Sequence, residues 1–201
     1  MKIKNLKNFL FLATVIFCLS ATYQNAFAQN YSDQNILIQA EQISGDKFIV
    51  VTRTIAGSII YSTKQPSKDF LQAIDKGLTD LFAVARKNGY KTKLNYSDYT
   101  IFIAQPDRQT DADGNYSPGF AIPVKQYAGS IYDKGGFMYV AGMVINNNPC
   151  AFLITDYTKE LNRVSDVVRY EGEHLILFHN DRKRYNETAD HSKGGGHPIL
   201  N

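Results

Sequence analysis

The sequence predicts an α+β domain, with two main helices packed on one side of a mostly antiparallel sheet. Two long segments carry apolar residues at helical spacing, and short segments rich in β-branched and aromatic residues lie between turn signals. Residues 29–201 are long enough to form one domain with its own hydrophobic core, and their number gives little reason to expect two domains. We therefore expect a single domain over that range.

Residues 1–28 contain the three parts of a cleavable signal peptide in the right order. Three lysines in the first seven residues form a positive n-region, residues 9–19 form a short apolar stretch, and Ala26-Phe27-Ala28 offers small residues for a signal peptidase. The apolar stretch is well short of the roughly 20 residues that span a bilayer. We expect a secreted or periplasmic protein that starts near Gln29 and has no membrane span after cleavage.

Cleavage would also remove the apparent basic character of the chain. The net charge of +3 comes from 22 basic and 19 acidic residues, and removing the three lysines of the n-region leaves as many basic residues as acidic ones. A neutral protein has no long-range field that attracts a phosphate backbone. We therefore expect no nucleic-acid partner, and a protein or peptide partner of unknown identity.

The first half of residues 29–201 predicts a short element, a strand pair and a helix. An apolar alternation covers Ile36 to Ile43 before a turn at residues 44–46, and residues 47–60 are rich in β-branched residues interrupted by Ala56-Gly57. Pro66-Ser67 is a helix start signal and Asn88-Gly89 a stop. Between them apolar residues recur at intervals of three and four: Phe70, Leu71, Ile74, Leu78, Leu81, Phe82 and Ala85.

The second half predicts further strands and one long helix. Strand character appears at residues 99–104 and 137–145, and the stretch from Pro106 to Pro123 is a polar excursion. Residues 150–155 are apolar throughout, and periodicity does not distinguish a buried strand from the start of a helix there. A helix is predicted from about Asp156 to Asn180, followed by a charged and then Gly-rich tail without regular structure.

The predicted second helix carries a carboxylate on its apolar stripe. Glu171 occupies the position where the series lacks an apolar member, and the apolar members are Tyr157, Leu161, Val164, Val168, Leu175 and Phe178. A buried carboxylate needs a partner, a proton or a metal. His174 lies one turn further on the same side, whereas Glu173 is rotated by about 160 degrees from Glu171 and is expected to face solvent.

The segment Tyr170-Glu171-Gly172-Glu173-His174 resembles the His-Glu-x-x-His helix of the zincin metallopeptidases, with Tyr170 at the first His. In that family two His bind zinc and the Glu polarises a water molecule. The resemblance implies a degenerate zincin-like domain, a metal-dependent, peptidase-like hydrolase with Zn as cofactor, Glu171 as catalytic base and His174 as ligand. Because Tyr170 removes one ligand, others must come from elsewhere.

Every His of the chain lies in its final segment, at positions 174, 179, 191 and 197. His179 points about 140 degrees away from His174 and is the poorest second ligand. The glycine run before His197 could fold the tail over the helix, which makes His191 and His197 the further candidate metal ligands. Glu171 could itself be a ligand instead of a base.

Three alternatives stay open. The exported domain could be a non-enzymatic interaction or structural domain in which Glu171, His174 and the C-terminal histidines only stabilise the fold. Cys150, the single cysteine of residues 29–201, could be an inert buried thiol or a nucleophile paired with His174. Asp107, Asp111, Asp113 and Asn115 form a loop that resembles the start of a calcium loop, but Gly114 is out of place for one.

Overall fold

The computed structural model describes residues 34–106, 120–123, 137–189 and 196–201. Residues 39–201 form one unit, separate from residues 1–38, and all the strands of the described ranges lie in it. The predicted signal peptide, the calcium-like loop and His191 lie outside the described residues and stay predictions. No helix in the described ranges combines the length and apolar character needed to cross a membrane.

The first described element is a helix, α1, which covers residues 34–44. The sequence predicted an ordered element at Ile36 to Ile43 from its apolar alternation, and that element is a helix. The buried residues Ile36 and Ala40 are four positions apart, which is the spacing of a helix and not of a strand. The predicted turn follows at Gly45, whose φ of 73° lies in the left-handed region that glycine adopts freely.

The predicted strand pair and first helix are confirmed. Strands β1 (Val50–Arg53) and β2 (Ile59–Ser62) pair in antiparallel fashion. Helix α2 spans Lys68–Lys87, and the hydroxyl of Ser67 caps it by accepting a hydrogen bond from the Phe70 N–H at 3.1 Å. A 3-10 turn, Tyr96–Asp98, leads into β3 (Tyr99–Ala104), which has the predicted bounds.

The later strands refine the predicted pattern. The strand character of residues 137–145 belongs to two strands, β5 (Phe137–Val140) and β6 (Gly142–Asn146), and β5 pairs with β4 (Phe120–Pro123). The apolar run is a strand, β7 (Cys150–Thr155). Helix α3 spans Leu161–Asn180 and begins later than expected because the Asp156 N–H still donates to the carbonyl of Ala104, the last residue of β3, at 2.8 Å. A short helix, α4 (Arg182–Thr188), follows.

The predicted α+β class is confirmed. The main sheet has the order β1-β2-β3-β7-β6, and its two outer pairs are antiparallel while β2-β3 and β3-β7 are parallel. With the β4-β5 pair, three of the five described pairings are antiparallel. The parallel centre of the sheet places the carboxyl ends of β2, β3 and β7 at one edge.

Helices α2 and α3 pack against each other and share one core with alternate residues of the central strands. The strand residues of this core are Ile60, Tyr99, Ile101, Ile103, Cys150, Phe152 and Ile154. The two helices approach closely at Gly77, where a Cβ would lie 2.5 Å from the Ser165 carbonyl oxygen and 2.8 Å from the Val168 Cβ. This close crossing holds α3 against the sheet and presents the Glu171 region toward the β6 edge.

Candidate functional site on helix α3

Glu171 is only partly buried and lies over β6, the edge strand. A Cβ on Gly142 would lie 2.9 Å from the Glu171 Cγ, so the absence of a side chain at this position makes room for the carboxylate arm. Burial raises the pKa of Glu171 to about 7, while His197 and the Val144 N–H act to lower that pKa and the neighbouring Glu173 acts to raise it. The carboxyl group therefore exchanges its proton near neutral pH.

Glu173 does not face solvent, contrary to the expectation from helical geometry. Its side chain is fully buried. Glu173 Oε2 accepts a hydrogen bond from the Ile199 N–H at 2.7 Å and lies 3.4 Å from His197 Nδ1, while Oε1 lies 3.4 Å from Arg169 Nη2. The C-terminal residues cover the side of α3 that the helical periodicity predicted to be exposed to solvent.

His197 returns to α3 next to the predicted site. Its ring stacks on Tyr170, with 5.1 Å between ring centroids and 16° between planes. The same ring meets His174 edge to face, with 4.9 Å between centroids and 82° between planes. Two of the three predicted metal-ligating histidines, His174 and His197, are thus brought together one helical turn from Glu171.

The segment after the Gly-rich run is anchored by several long side chains. Arg169 Nη2 donates to the Leu200 carbonyl at 2.9 Å, and Arg184 Nη2 donates to the Ile199 carbonyl at 2.5 Å. Leu200 itself is completely buried in the core that the helices share with the sheet. We call residues 196–201 with these contacts the C-terminal anchor. It fixes the position of His197.

The Cys150–His174 pairing is wrong. Cys150 Sγ lies 3.6 Å from the Nε2 of His179 instead, and that nitrogen is also 2.8 Å from the Asn147 carbonyl oxygen. Burial raises the pKa of the Cys150 thiol to about 12, so the thiolate is scarce at neutral pH. The inert reading of Cys150 fits these contacts, and His179 points away from His174 as its spacing predicted.

The donor types at the site suit zinc, which binds imidazole nitrogen and carboxylate oxygen. Among the described residues, however, no three His, Cys, Asp or Glu side chains are grouped so that they could hold one ion, so His174 and His197 would supply two ligands of such a site and not the third. His191 lies outside those residues. The arrangement that is present is a carboxyl group with a pKa near 7 beside two imidazole rings in contact.

Sequence reasoning missed the role of Glu173 and of Arg169. A signal was available, because Arg169 and Glu173 are four residues apart on α3 and so can pair on one helix face. The spacing of these residues does not predict that the C-terminal anchor covers and buries the pair. Comparison with protein-family models, with curated proteins and with solved structures gives no match.

Proposed function

We propose that this chain is an exported, zincin-like hydrolase domain whose centre lies on α3, with Glu171 as the base and His174 and His197 as metal ligands. The observation that supports this most is the return of His197 to within 4.9 Å of His174, measured between ring centroids. Two imidazole rings in contact on one side of α3 offer two nitrogen donors of the kind that zinc binds.

The contact between Glu173 and His197 also favours a ligand role. Metal-binding histidines usually have one ring nitrogen held by a carboxylate, which orients the ring toward the ion. Glu173 Oε2 lies 3.4 Å from His197 Nδ1 and is held in turn by the Ile199 N–H. On this proposal His197 Nε2 is the nitrogen that binds the metal.

Glu171 has the proton affinity that a base at neutral pH needs, because burial raises its pKa to about 7. It can hold the proton of a bound water and release it again within a small pH range. A bound zinc ion would supply Lewis acidity that polarises a substrate carbonyl. Tyr170 stacks on His197 and so positions that ring. We propose a peptide or protein as substrate or partner.

The test is the zinc content of the purified protein after dialysis against zinc at neutral pH. We expect about one zinc per chain, and a higher melting temperature than after treatment with a chelator. His174→Ala and His197→Ala should each lose the ion. His179→Ala is the matched control, because His179 is on the same helix but contacts Cys150 and Asn147, and it should retain zinc.

Glu171→Gln separates the two roles of this residue. If Glu171 is the base, the variant retains zinc and loses hydrolysis of a mixed peptide substrate; if it is a ligand, the variant loses zinc as well. A protein without stoichiometric zinc, whose melting temperature is the same with and without chelator, would overturn the metal proposal.

The second candidate is a non-enzymatic exported domain in which the same residues are structural. The observation that favours it is the contact set of Glu173, which holds Ile199, His197 and Arg169 at once. On this alternative His197→Ala lowers stability with or without zinc by the same amount. The zinc measurement above therefore decides between the two candidates.

A further inference from the structure

Strand β1 forms the edge of the main sheet that is farthest from the proposed hydrolase centre. The sheet order begins with β1 and ends with β6, the strand over which Glu171 lies. On its inner side β1 pairs with β2, and no other described strand pairs with its outer side. A strand in this position has backbone groups on its outer side that a further strand can bond.

The pairing of β1 with β2 shows which backbone groups point outward. The Thr54 N–H donates to the Ser58 carbonyl at 3.0 Å, and the antiparallel register of β1 with β2 continues from this pair. In an antiparallel pair the backbone groups of successive residues point alternately toward the partner strand and away from it. The N–H and C=O groups of Val51 and Arg53 therefore point away from β2, toward the free side of the edge.

The exposed side chains at this edge are mostly aliphatic. Four large hydrophobic residues are exposed in the described part of the chain, and three of them belong to this stretch. Ile49 is 79% exposed, Val51 is 61% exposed, and Ile55, in the turn after β1, is 81% exposed. Soluble proteins usually protect a free sheet edge with charged residues, proline or a bulge. Exposed aliphatic residues beside free backbone groups are typical of an edge that binds a further strand.

The aliphatic residues are continuous with one face of the sheet. Val51 is opposite Tyr61 of β2, and the Tyr61 ring stacks on Phe102 of β3 with 4.9 Å between ring centroids. Opposite residues of an antiparallel pair have their side chains on the same face. A strand added beside β1 would place alternate side chains on this face, next to Ile49 and Val51, so those side chains should be apolar.

The charges of the edge favour an acidic segment over a second copy of this chain. Arg53 is exposed and donates to the neutral Gly57 carbonyl at 3.0 Å, and it forms no ion pair within the described ranges. Lys47 is exposed as well and pairs with Glu41. If a second copy added its own β1 in antiparallel register about Val51, each Arg53 would lie diagonally across from Lys47 of the other copy. Like charges across a strand pair are destabilising, whereas a carboxylate opposite Arg53 is favourable.

We propose that β1 is a docking edge for an extended segment of another protein, with aliphatic side chains opposite Ile49 and Val51 and a carboxylate opposite Arg53. The outward backbone groups of β1 supply hydrogen bonds, and its aliphatic residues supply apolar contact. Arg53 supplies the selection between acidic and basic segments. This docking edge is additional to the proposed hydrolase centre and does not depend on it.

The probe is a synthetic peptide with blocked ends, Val-Thr-Glu-Thr-Val-Thr-Val. In antiparallel pairing its Glu lies opposite Arg53 and its last two valines lie opposite Val51 and Ile49. The matched control peptide has Lys in place of Glu. Titration of the whole protein at low ionic strength, followed by amide NMR shifts, should give saturable binding of the Glu peptide, with a dissociation constant of about 1 mM or lower and shifts in residues 49–55. The Lys peptide should bind about fivefold more weakly, because an exposed ion pair contributes modestly.

Two variants and one control complete the test. Arg53→Glu should reverse the preference, so that the Lys peptide binds more tightly than the Glu peptide. Val51→Pro removes an outward N–H and no bond to β2, and it should weaken binding of the Glu peptide by at least about tenfold. Ile38→Thr changes the fourth exposed hydrophobic residue, which is 52% exposed on α1, and should leave binding unchanged.

Three results would each overturn the proposal. The first is that neither peptide saturates by about 5 mM. The second is that Arg53→Glu leaves the preference between the two peptides as it is in the unmodified protein, a result that does not depend on the folding of Val51→Pro. The third is a dimer of the protein alone in sedimentation that Val51→Pro dissociates, because the edge would then bind a second copy of the chain.

Discussion

Helices α2 and α3 have the same length, 20 residues, and pack against each other over the same sheet, but they bury different chemistry. Every buried residue of α2 is apolar or glycine. Helix α3 buries Glu173, His174 and Ser165 as well. The apolar residues of α2 need only close packing against their neighbours. Each buried polar residue of α3 also needs a hydrogen-bonding or charged partner in a defined position.

Those partners come from distant parts of the chain. The Ser165 hydroxyl donates to the Ala73 carbonyl of α2 at 3.0 Å, and Glu173 is held by Ile199 and His197 of the C-terminal anchor. The packing of α3 therefore depends on individual hydrogen bonds, each of which a single substitution can remove. Truncating a buried residue of α2 leaves a cavity, whereas truncating Ser165 or Glu173 of α3 leaves the polar partner of that side chain unpaired.

Of the substitutions that test this difference between the helices, Glu173→Ala should lower the free energy of unfolding the most. Removing the carboxylate leaves the Ile199 N–H and Arg169 without their buried partner, and breaking such a pair costs about 3–5 kcal/mol. The free energy of unfolding in urea should fall by this amount, and residues 196–201 should become sensitive to a carboxypeptidase. Glu160→Ala, in the exposed pair with Arg163 at the start of α3, is the control and should change stability by less than about 1 kcal/mol. A loss at Glu173 no larger than that of the control would contradict the C-terminal anchor.

Two glycines probe the crossing of the helices from opposite sides. Gly77→Ala should cost about 2–3 kcal/mol, because the new methyl group meets the Ser165 backbone oxygen and the branched Val168. Gly172→Ala should cost less, since its methyl group meets the end of the Leu81 side chain, which can turn away. Chemical unfolding measures both. Equal losses would mean that α3 can shift as easily as the Leu81 side chain.

The sequence predicts α2 more fully than α3, because α2 depends on local signals and α3 on distant partners. The start and end of α2 are local signals, Ser67 with its cap and Asn88-Gly89, and its apolar spacing depends on no other part of the chain. The position of Glu171 on α3 and its neighbour His174 were also predicted. The burial of Glu173 was not, because it depends on the C-terminal anchor, more than twenty residues away, folding over that side of α3.

The strands show a similar division. The bounds of β3 were predicted because turn signals flank it, but its parallel pairing with β2 and β7 was not, since pairing is a contact between distant segments. The pocket of about 140 Å³ that Ser62, Gln105 and Asp156 line at the carboxyl ends of these strands was missed for the same reason. Ser62, Lys64 and Asp156 are ordinary polar residues in the sequence and become a set only through the sheet order.

Glu171 should give α3 a pH dependence that the apolar face of α2 lacks. Its pKa rises from 4.5 in the unfolded chain to about 7 in the folded protein, so folding favours the protonated form. This stabilisation is complete below about pH 4.5 and is lost as the pH rises through 7. Because Glu171 is partly exposed, we expect a loss of roughly 1–2 kcal/mol. Glu171→Gln should remove it, so the stability difference between variant and unmodified protein, measured with chelator present, should grow from pH 5 to pH 8. A constant difference over this range would contradict the raised pKa.

The smallest effect concerns the first turns of the two helices. Ser67 caps α2 through the Phe70 N–H, whereas the Glu160 side chain makes no capping hydrogen bond to the backbone of α3 and pairs only with the exposed side chain of Arg163. Ser67→Ala should therefore lower the free energy of unfolding by about 1 kcal/mol, and Glu160→Ala should cost clearly less. Thermal unfolding of the two variants side by side measures the difference. If Glu160→Ala costs as much as Ser67→Ala, then α3 is held at its start by a local contact after all, and its dependence on distant partners is confined to the half that carries Glu173 and His174.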